Sequence, residues 1–226
     1  MQYIKGLDAF DGRNHTAVTL GKFDGLHRGH QKLLNRIMKY AQKEDCDSVV
    51  CAFDMDRDCL MTNEERRAFL EDKVDYLIEI PFTREMMEME AEKFIDEILH
   101  KKLHASHIVV GTDFNFGHEK RGNHQMLEKY AAKYGYTVDV VEKAYYKDRE
   151  ISSTYIRELL LDGNVPLANE LLGYPYEITS VVEHGQQLGR TLGFPTMNLA
   201  PQEKKILPKY GVYACRVLVD GVWYGG

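Results

Sequence analysis

Short β-branched runs alternate with longer helical patterns from residue 16 to about residue 141, and this alternation constrains the fold more than any other feature of the chain. The strand-like runs cover residues 16–20, 48–54, 76–81, 108–111 and 136–141. Helical spacing covers residues 29–43, 63–73, 83–103 and 123–134, of which the second is opened by a Thr62-x-x-Glu65 capping box and the last is closed by Gly135. Such alternation is typical of βαβ units around a parallel sheet. The sequence therefore predicts an open α/β domain.

The pattern changes after two further predicted helices at residues 153–162 and 166–172. From Tyr176 onward come strand-like segments at 176–183 and 211–219, separated by turns rich in Gly and Pro. Asp220-Gly221 is a strong signal for a tight hairpin turn. We therefore predict one domain over residues 1–173 and the first part of an all-β domain over residues 174–226.

Composition excludes several classes of protein. The 226 residues suffice for one or two domains, and 44% hydrophobic with 28% charged residues is ordinary globular usage. A formal charge of −6 argues against nucleic acid as a partner. No run approaches the roughly 18 apolar residues of a spanning helix, so we expect no membrane insertion. Four cysteines without a Cys-x-x-Cys pair suggest a cytoplasmic protein with reduced thiols, and we expect a monomer or weak homo-oligomer.

A glycine-rich segment lies directly between the first predicted strand and the first predicted helix. It runs from Gly21 to His30 and reads Gly-Lys-Phe-Asp-Gly-Leu-His-Arg-Gly-His. A turn of this kind offers free N–H groups and the positive end of a helix dipole to a phosphate. Two histidines three residues apart at the helix start can both donate hydrogen bonds to one phosphate chain. The tetrapeptide alone also fits a pair of surface histidines, but its place after a strand favours a nucleotide site.

Two further segments are candidates for the same site. Residues 151–157 place Ser152, Ser153, Thr154 and Arg157 at a helix start, which suits a phosphate clamp but also an ordinary N-cap with a solvated arginine. Residues 111–117 place two aromatic residues between glycines after the fourth predicted strand. They would form a face for a planar ring, or they would be buried in the core.

Together these segments resemble the bacterial bifunctional riboflavin kinase/FMN adenylyltransferase family, also called FAD synthetase, over essentially the whole chain. Residues 185–198 add a stretch that is similar to the family's flavokinase motif. The resemblance implies a Rossmann-like nucleotidylyltransferase domain of the His-x-Gly-His type, followed by part of the riboflavin kinase β-barrel. It also implies that FAD is made from FMN and ATP, and that the complete barrel phosphorylates riboflavin.

The motifs give roles to particular residues of the first domain, and the resemblance implies those of the kinase region. Catalysis is expected from His27, His30 and Arg157. ATP binding is expected from Gly21, Phe23, Asp24, Gly25, Gly29, Ser152, Ser153 and Thr154. The flavin is expected to contact Asp113, Phe114 and Asn115. The kinase nucleotide is expected at Gly189, Thr191, Pro195, Thr196 and Asn198, with Mg²⁺ held through the nucleotide by Thr196 and Asn198.

This chain departs from the family pattern in two places. Residues 55–58 stand where the family usually has a Pro-His-Pro segment after the second predicted strand. The family's kinase has its general-base glutamate beyond residue 226, so we expect no kinase activity from these residues alone.

The expected reaction is attack by a phosphate oxygen of FMN on the α-phosphorus of ATP, with loss of pyrophosphate. A phosphate monoester is largely dianionic at neutral pH, so the attack needs no general base and no covalent enzyme intermediate. Three alternatives stay open: a nucleotidylyltransferase with another phosphate acceptor, a relative of class I aminoacyl-tRNA synthetases, and a non-catalytic flavin or nucleotide sensor. The flavokinase motif argues against the first, and the acidic charge with no Lys-Met-Ser-Lys-Ser-like loop argues against the second.

Overall fold

A central parallel sheet organises the first part of the chain. A computed structural model describes residues 1–54, 58–81, 83–186, 191, 193 and 196–226. The sheet strands are β1 (Gln2–Lys5), β2 (His15–Gly21), β3 (Cys46–Phe53), β4 (Tyr76–Ile80), β5 (Ala105–Gly111) and β8 (Thr137–Val141). They are all parallel and lie in the order β1-β4-β3-β2-β5-β8. The predicted open α/β fold is confirmed.

Helices cover both faces of this sheet. The helices of the described chain are α1 (Arg28–Lys43), α2 (Asn63–Leu70), α3 (Arg84–Glu88), α4 (Ala91–Lys93), α5 (His124–Tyr134), α6 (Ser153–Asp162) and α7 (Val165–Leu172), with a π-helix at Phe94–Lys102. The buried residues of α6 and α7 form a cluster of their own, apart from the sheet. Strand β3 shows why both faces need cover, because its side chains alternate between them. Val49 and Cys51 pack with the π-helix residues Phe94 and Ile95, whereas Val50 packs with α1 on the other face. Burial on both faces gives these strands their continuous apolar runs.

The direction of the crossovers reverses at β2. From β2 the chain proceeds through β3 to β4 on one side of the sheet, and β5 and β8 are then added on the other side of β2. In open α/β sheets, ligands bind beyond the carboxyl ends of the strands at such a switch point. The fold thus singles out the loops that follow β2, β5 and β8.

Several local predictions are confirmed. Thr62 and Glu65 form the expected reciprocal capping box at the start of α2. Gly135 ends α5 in the left-handed conformation. Asp220 and Gly221 both have positive φ and join β13 (Arg216–Val219) to β14 (Val222–Gly225) as a hairpin.

Other elements differ from the prediction. Strand β1 has no counterpart in it. The single helix predicted over 83–103 is broken at Met89, whose carbonyl accepts a hydrogen bond from His118 N at 2.7 Å. This contact with a distant loop replaces helical pairing, so a tertiary interaction overrides local helical spacing.

The remaining strands are short antiparallel pairs. They are β6 (Asn115–Phe116) with β7 (Gly122–Asn123), β9 (Tyr145–Tyr146) with β10 (Arg149–Glu150), β11 (Val182–Glu183) with β12 (Asn198–Leu199), and β13 with β14. The strands predicted at 176–183 and 211–219 are therefore shorter than expected. The backbone N–H of Tyr176 is not available to a neighbouring strand because it donates to Asn169 Oδ1 at 2.7 Å. No helix within the described residues is long and apolar enough to span a membrane.

Candidate active site

A large cavity opens at the switch point of the sheet. Its volume is about 620 Å³, which lies within the usual range for small-molecule sites. Its walls come from the turn after β2, the ends of β5 and β8, and the start of α6. The lining residues predicted from sequence are Asp24, His27, Gly29, His30, Asp113, Ser152, Ser153, Thr154 and Arg157. The structure thus brings residues from all three N-terminal motifs into one cavity.

The turn after β2 is held by buried side chains. Phe23 has a left-handed backbone, is fully buried and packs edge-on against His30 with ring centroids 5.3 Å apart. Gly25 has φ of 77°, and a Cβ there would lie 2.9 Å from Leu60 Cδ1. Gly21, Phe23 and Gly25 do not line the cavity among the described residues. They shape the turn, and the ATP contacts expected of them remain predictions.

The two histidines of this turn stack face to face. Their ring centroids are 3.8 Å apart, and His27 is the N-cap of α1. Burial lowers the pKa of His27 from 6.5 to about 4. Burial, together with His27, holds the pKa of His30 well below its ordinary value. Both imidazoles are therefore neutral at pH 7.

Both histidines also retain unused hydrogen-bonding capacity. The Nδ1 atoms of His27 and His30 are buried and have no partner within the described part of the chain. A buried polar atom without a partner is costly and usually has a functional explanation. These atoms, at the wall of a cavity that suits a nucleotide, are the best local indication of a ligand.

Asp24 and Arg157 join the first and second motifs. The Arg157 guanidinium pairs with Asp24 Oδ2 and donates from Nε to Asp58 O at 2.7 Å. Asp24 Oδ1 accepts from Leu60 N at 2.8 Å and from Met61 N at 3.3 Å. Burial raises the pKa of Asp24, although Arg157 and the two N–H groups favour its charged form. Arg157 is thus held at the cavity wall and is not the freely solvated arginine of the alternative interpretation.

The hydroxyl residues at the start of α6 divide into two groups. Ser152 Oγ caps the helix by accepting from Tyr155 N at 3.2 Å, and Ser153 Oγ donates to Asp24 O at 2.9 Å. Thr154 is exposed and lines the cavity. Ser152 therefore caps α6, Ser153 fixes the helix start against the turn after β2, and Thr154 faces the cavity from the side of α6.

The third motif reaches the cavity only in part. Asp113 lines it, together with Gly111. Phe116 is buried in the core, and Phe114 is half-buried beside it with ring centroids 5.6 Å apart. Phe114 and Asn115 are absent from the described cavity wall. Phe116 thus follows the alternative in which the aromatic residues of this motif are buried in the core. Flavin contact by Phe114 and Asn115 remains a prediction.

Sequence reasoning missed several charged residues of the cavity wall, which are Lys22, Asp58, Glu142, Lys143 and Glu150. Lys143 Nζ lies 3.0 Å from Asp113 Oδ2 and 2.8 Å from Glu150 Oε2. These carboxylates raise the pKa of Lys143. The signal for Lys143 was its place just after the last strand of the sheet, where ligand-binding loops occur.

Among the expected kinase residues that the structure describes, Asn198 begins β12 and Thr196 lies two residues before it. Gly189 and Pro195 fall outside the described residues, as do residues 55–57 of the departing segment. Thr196 and Asn198 are exposed, and Asn198 pairs with Glu183 across β11 and β12. Their side-chain oxygens suit Mg²⁺ by chemistry. No cluster of three or more His, Cys, Asp or Glu that would hold a metal occurs within the described ranges.

Models of two protein families match the chain. The FAD synthetase model matches residues 10–155, which include five of the six strands of the parallel sheet and all the described cavity residues except Arg157. The riboflavin kinase model matches residues 172–226. The two matches are consecutive and together cover most of the chain.

Individual relatives agree with these matches. Two relatives named bifunctional riboflavin kinase/FMN adenylyltransferase are each 35% identical to this chain. The alignment with the protein from Buchnera aphidicola (Schizaphis graminum) covers 96% of this chain and 73% of that protein. The alignment with the Escherichia coli K12 protein covers 89% of this chain and 67% of that protein. The Haemophilus influenzae protein of the same name is 36% identical over all of this chain and 77% of its own. A solved structure described as a macrolide-efflux protein from Streptococcus pneumoniae superposes with a TM-score of 0.88 at 31% identity, covering 99% of this chain and 76% of that one. The two family models match most of the chain, and the relatives are 35–36% identical to it. The chain therefore belongs to the bifunctional riboflavin kinase/FMN adenylyltransferase family.

Proposed function

We propose that the N-terminal domain transfers AMP from ATP to FMN, forming FAD and releasing pyrophosphate. The observation that carries this proposal is the pair of neutral, stacked histidines with unpartnered Nδ1 atoms, which line the same cavity as Arg157 at the switch point of the sheet. Family membership supplies the identity of the substrates. The site supplies groups suited to binding a polyphosphate.

The chemistry requires charge stabilisation more than proton transfer. A phosphate oxygen of FMN forms the new bond to the α-phosphorus of ATP, and the bond from that phosphorus to the bridging oxygen of the β-phosphate breaks. The leaving pyrophosphate takes the electron pair. His27 and His30, which are neutral at pH 7, would donate hydrogen bonds to the α- and β-phosphate oxygens as charge shifts towards the leaving group.

Arg157 and the start of α6 would hold the triphosphate from the other side of the cavity. We assign ATP binding to Asp24, Gly29, Ser152, Ser153 and Thr154, and we keep Gly21, Phe23 and Gly25 as residues that give the turn its shape. Asp24 would act mainly by holding Arg157. On the flavin side we assign Asp113, which reaches the cavity, and Phe114 and Asn115 next to it. Mg²⁺ would enter with ATP and reduce its negative charge.

We further propose that the division into domains falls between residues 173 and 174. Residues 174–226 would then belong to a riboflavin kinase region, whose family activity would supply FMN from riboflavin and ATP. Thr191, Thr196 and Asn198, together with Gly189 and Pro195, would contact the kinase nucleotide. The four cysteines are thiols, which fits our proposal of a cytoplasmic enzyme. We also propose that it acts on small molecules as a monomer or weak homo-oligomer.

Incubation of the protein with FMN, ATP and Mg²⁺ tests the adenylyltransferase proposal. Flavins are separated chromatographically and pyrophosphate is measured in the same samples. We expect FAD and pyrophosphate to appear in equal amounts. Tight FMN binding with no product would contradict the proposal and favour a sensor, and pyrophosphate release only with another phosphate acceptor would favour a different nucleotidylyltransferase.

A further inference from the structure

A short piece of the riboflavin kinase region is bound to the FAD synthetase region beside the cavity. We call residues 204–206 the strap and residues 58–61 the bridging segment. Cys59 N donates to Lys204 O at 2.7 Å, and Ile206 N donates to Cys59 O at 3.0 Å. The two segments thus pair like strands across the two regions matched by different family models.

The side chain of Lys205 is the centre of this contact. Its Nζ donates to Leu60 O at 2.8 Å and to Glu65 Oε2 at 2.6 Å, and it lies 4.5 Å from the centre of the Tyr176 ring. The side chains of Lys205 and Glu65 are only 3% and 8% exposed. Burying an ammonium group is costly unless every N–H finds a partner. Here the Leu60 carbonyl, a carboxylate and an aromatic face supply them.

The opposite side of the bridging segment holds the cavity wall. Leu60 N and Met61 N donate to Asp24, and the carbonyl of Asp58 accepts from Arg157. The backbone of Cys59 therefore binds the strap, whereas the neighbouring backbone groups of Asp58 and Met61 bind residues of the nucleotide site. Leu60 makes both kinds of contact, because its carbonyl binds Lys205 and its N–H binds Asp24.

We propose that Lys205 is a positioning residue for adenylyl transfer: it holds the bridging segment so that Asp24 and Arg157 are correctly placed for the triphosphate. This inference rests on the proposed function and adds to it a link from the kinase region to the adenylyltransferase cavity. Loss of one hydrogen bond from a charged donor corresponds to about tenfold in an equilibrium constant. The same factor is expected in the affinity for ATP.

Three variants of the full chain separate positioning from simple stability. Lys205→Met removes both polar contacts of Nζ and keeps much of the side-chain volume. Glu65→Gln removes the carboxylate and keeps the contact between Lys205 and Leu60, and Gln still serves in a capping box. Lys204→Met removes a neighbouring exposed charge and retains the backbone carbonyl that pairs with Cys59. FAD formation, ATP binding by calorimetry and thermal unfolding are measured for each.

We expect Lys205→Met to raise the KM for ATP and the Kd of ATP about tenfold, with a smaller effect on kcat. Glu65→Gln should lower the unfolding temperature but leave the KM for ATP near that of the parent, and Lys204→Met should change neither. Lys205→Met/Glu65→Gln lacks the isolated buried carboxylate, so it should regain stability and still bind ATP weakly. This double variant also carries the test if Lys205→Met does not fold.

Two results would overturn the proposal. One is unchanged ATP affinity in both variants that lack Lys205. The other is a KM for ATP that rises in both Lys205→Met and Glu65→Gln in proportion to the fall in unfolding temperature. That result would mean that the contact only stabilises the fold. If the parent protein forms no FAD, the proposed function fails instead, and the calorimetric Kd values still decide whether Lys205 affects ATP binding.

Discussion

The guanidinium of Arg157 is paired with the carboxylate of Asp24, a residue that lies 133 positions earlier in the chain. Asp24 belongs to the turn after β2 and Arg157 to α6, so this pair joins two segments of the cavity wall. The pair also explains why an aspartate stands in a site for a negatively charged substrate. Its charge is used by Arg157 and by the N–H groups of Leu60 and Met61.

Asp24→Asn should therefore weaken both ATP binding and the fold. Asn still offers an oxygen to Leu60 N and Met61 N but no longer holds Arg157 by charge. We expect a KM for ATP raised about tenfold and a free energy of unfolding lowered by about 1–2 kcal/mol. Steady-state kinetics and urea unfolding measure these changes. Glu158→Gln, which breaks the exposed pair with Arg149, is the control, and an unchanged KM in Asp24→Asn would contradict the assignment.

His30→Ala should lower kcat about 100-fold with a smaller change in the KM for ATP. The reason is that a donor to the leaving pyrophosphate matters most as negative charge develops in the transition state. His15→Ala removes an exposed histidine at the other end of β2 and should behave like the parent protein. An unaltered kcat in His30→Ala would remove this residue from the mechanism.

Stability should depend on pH through the buried histidines. The pKa of His27 is lowered from 6.5 to about 4 in the folded protein, so below pH 6.5 the unfolded chain binds a proton that the folded protein does not. This contribution to stability is fully present above pH 6.5 and is lost as the pH falls towards 4. In His27→Gln the free energy of unfolding, measured with urea, should fall less steeply over this pH range. Equal slopes for parent and variant would show that His27 is protonated in the native state.

Gly25→Ala should be more destabilising than Gly135→Ala. Both glycines have positive φ, 77° and 75°, but only at Gly25 would a Cβ approach other atoms, with Leu60 Cδ1 at 2.9 Å. The conformational cost of about 1–2 kcal/mol is common to both, and the clash adds about 1–3 kcal/mol at Gly25. Urea unfolding compares the two variants. An equal fall in the free energy of unfolding would mean that the Leu60 side chain moves aside without an energetic cost.

Phe114→Ala should weaken FMN binding about tenfold, because a stacked aromatic pair contributes about 1 kcal/mol or more in addition to burial. Phe114 is half-buried, so the fold should tolerate the change. Phe116→Ala is the comparison, since Phe116 is in the core and its loss should lower stability by about 3 kcal/mol. FMN fluorescence titration measures the binding. Normal FMN affinity in Phe114→Ala would place the flavin elsewhere.

Local patterns predicted those parts of the structure that depend on neighbouring residues. Five of the six sheet strands, the capping box at Thr62 and the hairpin at Asp220-Gly221 all follow from side-chain alternation, helix capping and turn chemistry. Strand β1 was missed because four residues are too few to show a period. The break at Met89 was missed because its cause is a hydrogen bond from His118, which no local pattern encodes.

The candidate site divides in the same way. His27, His30, Asp24 and Arg157 were identified from motifs whose residue types suit phosphate chemistry. Their partners could not be identified from motifs. Asp24 pairs with a residue 133 positions away, and its carboxylate also binds the backbone of a loop. Phe23 was assigned to ATP for its place in the motif, whereas its side chain is fully buried.

The sequence by itself determined the class of the fold, the end of the sheet that binds ligands and the family to which the chain belongs, since each depends on residue types at fixed spacing. Only the tertiary structure decided the protonation of the histidines, because their pKa values follow from burial. It alone also placed Lys205 next to Leu60, across 145 positions. Burial and long-range contacts arise only when distant segments pack together, and these contacts convert three motifs into one site.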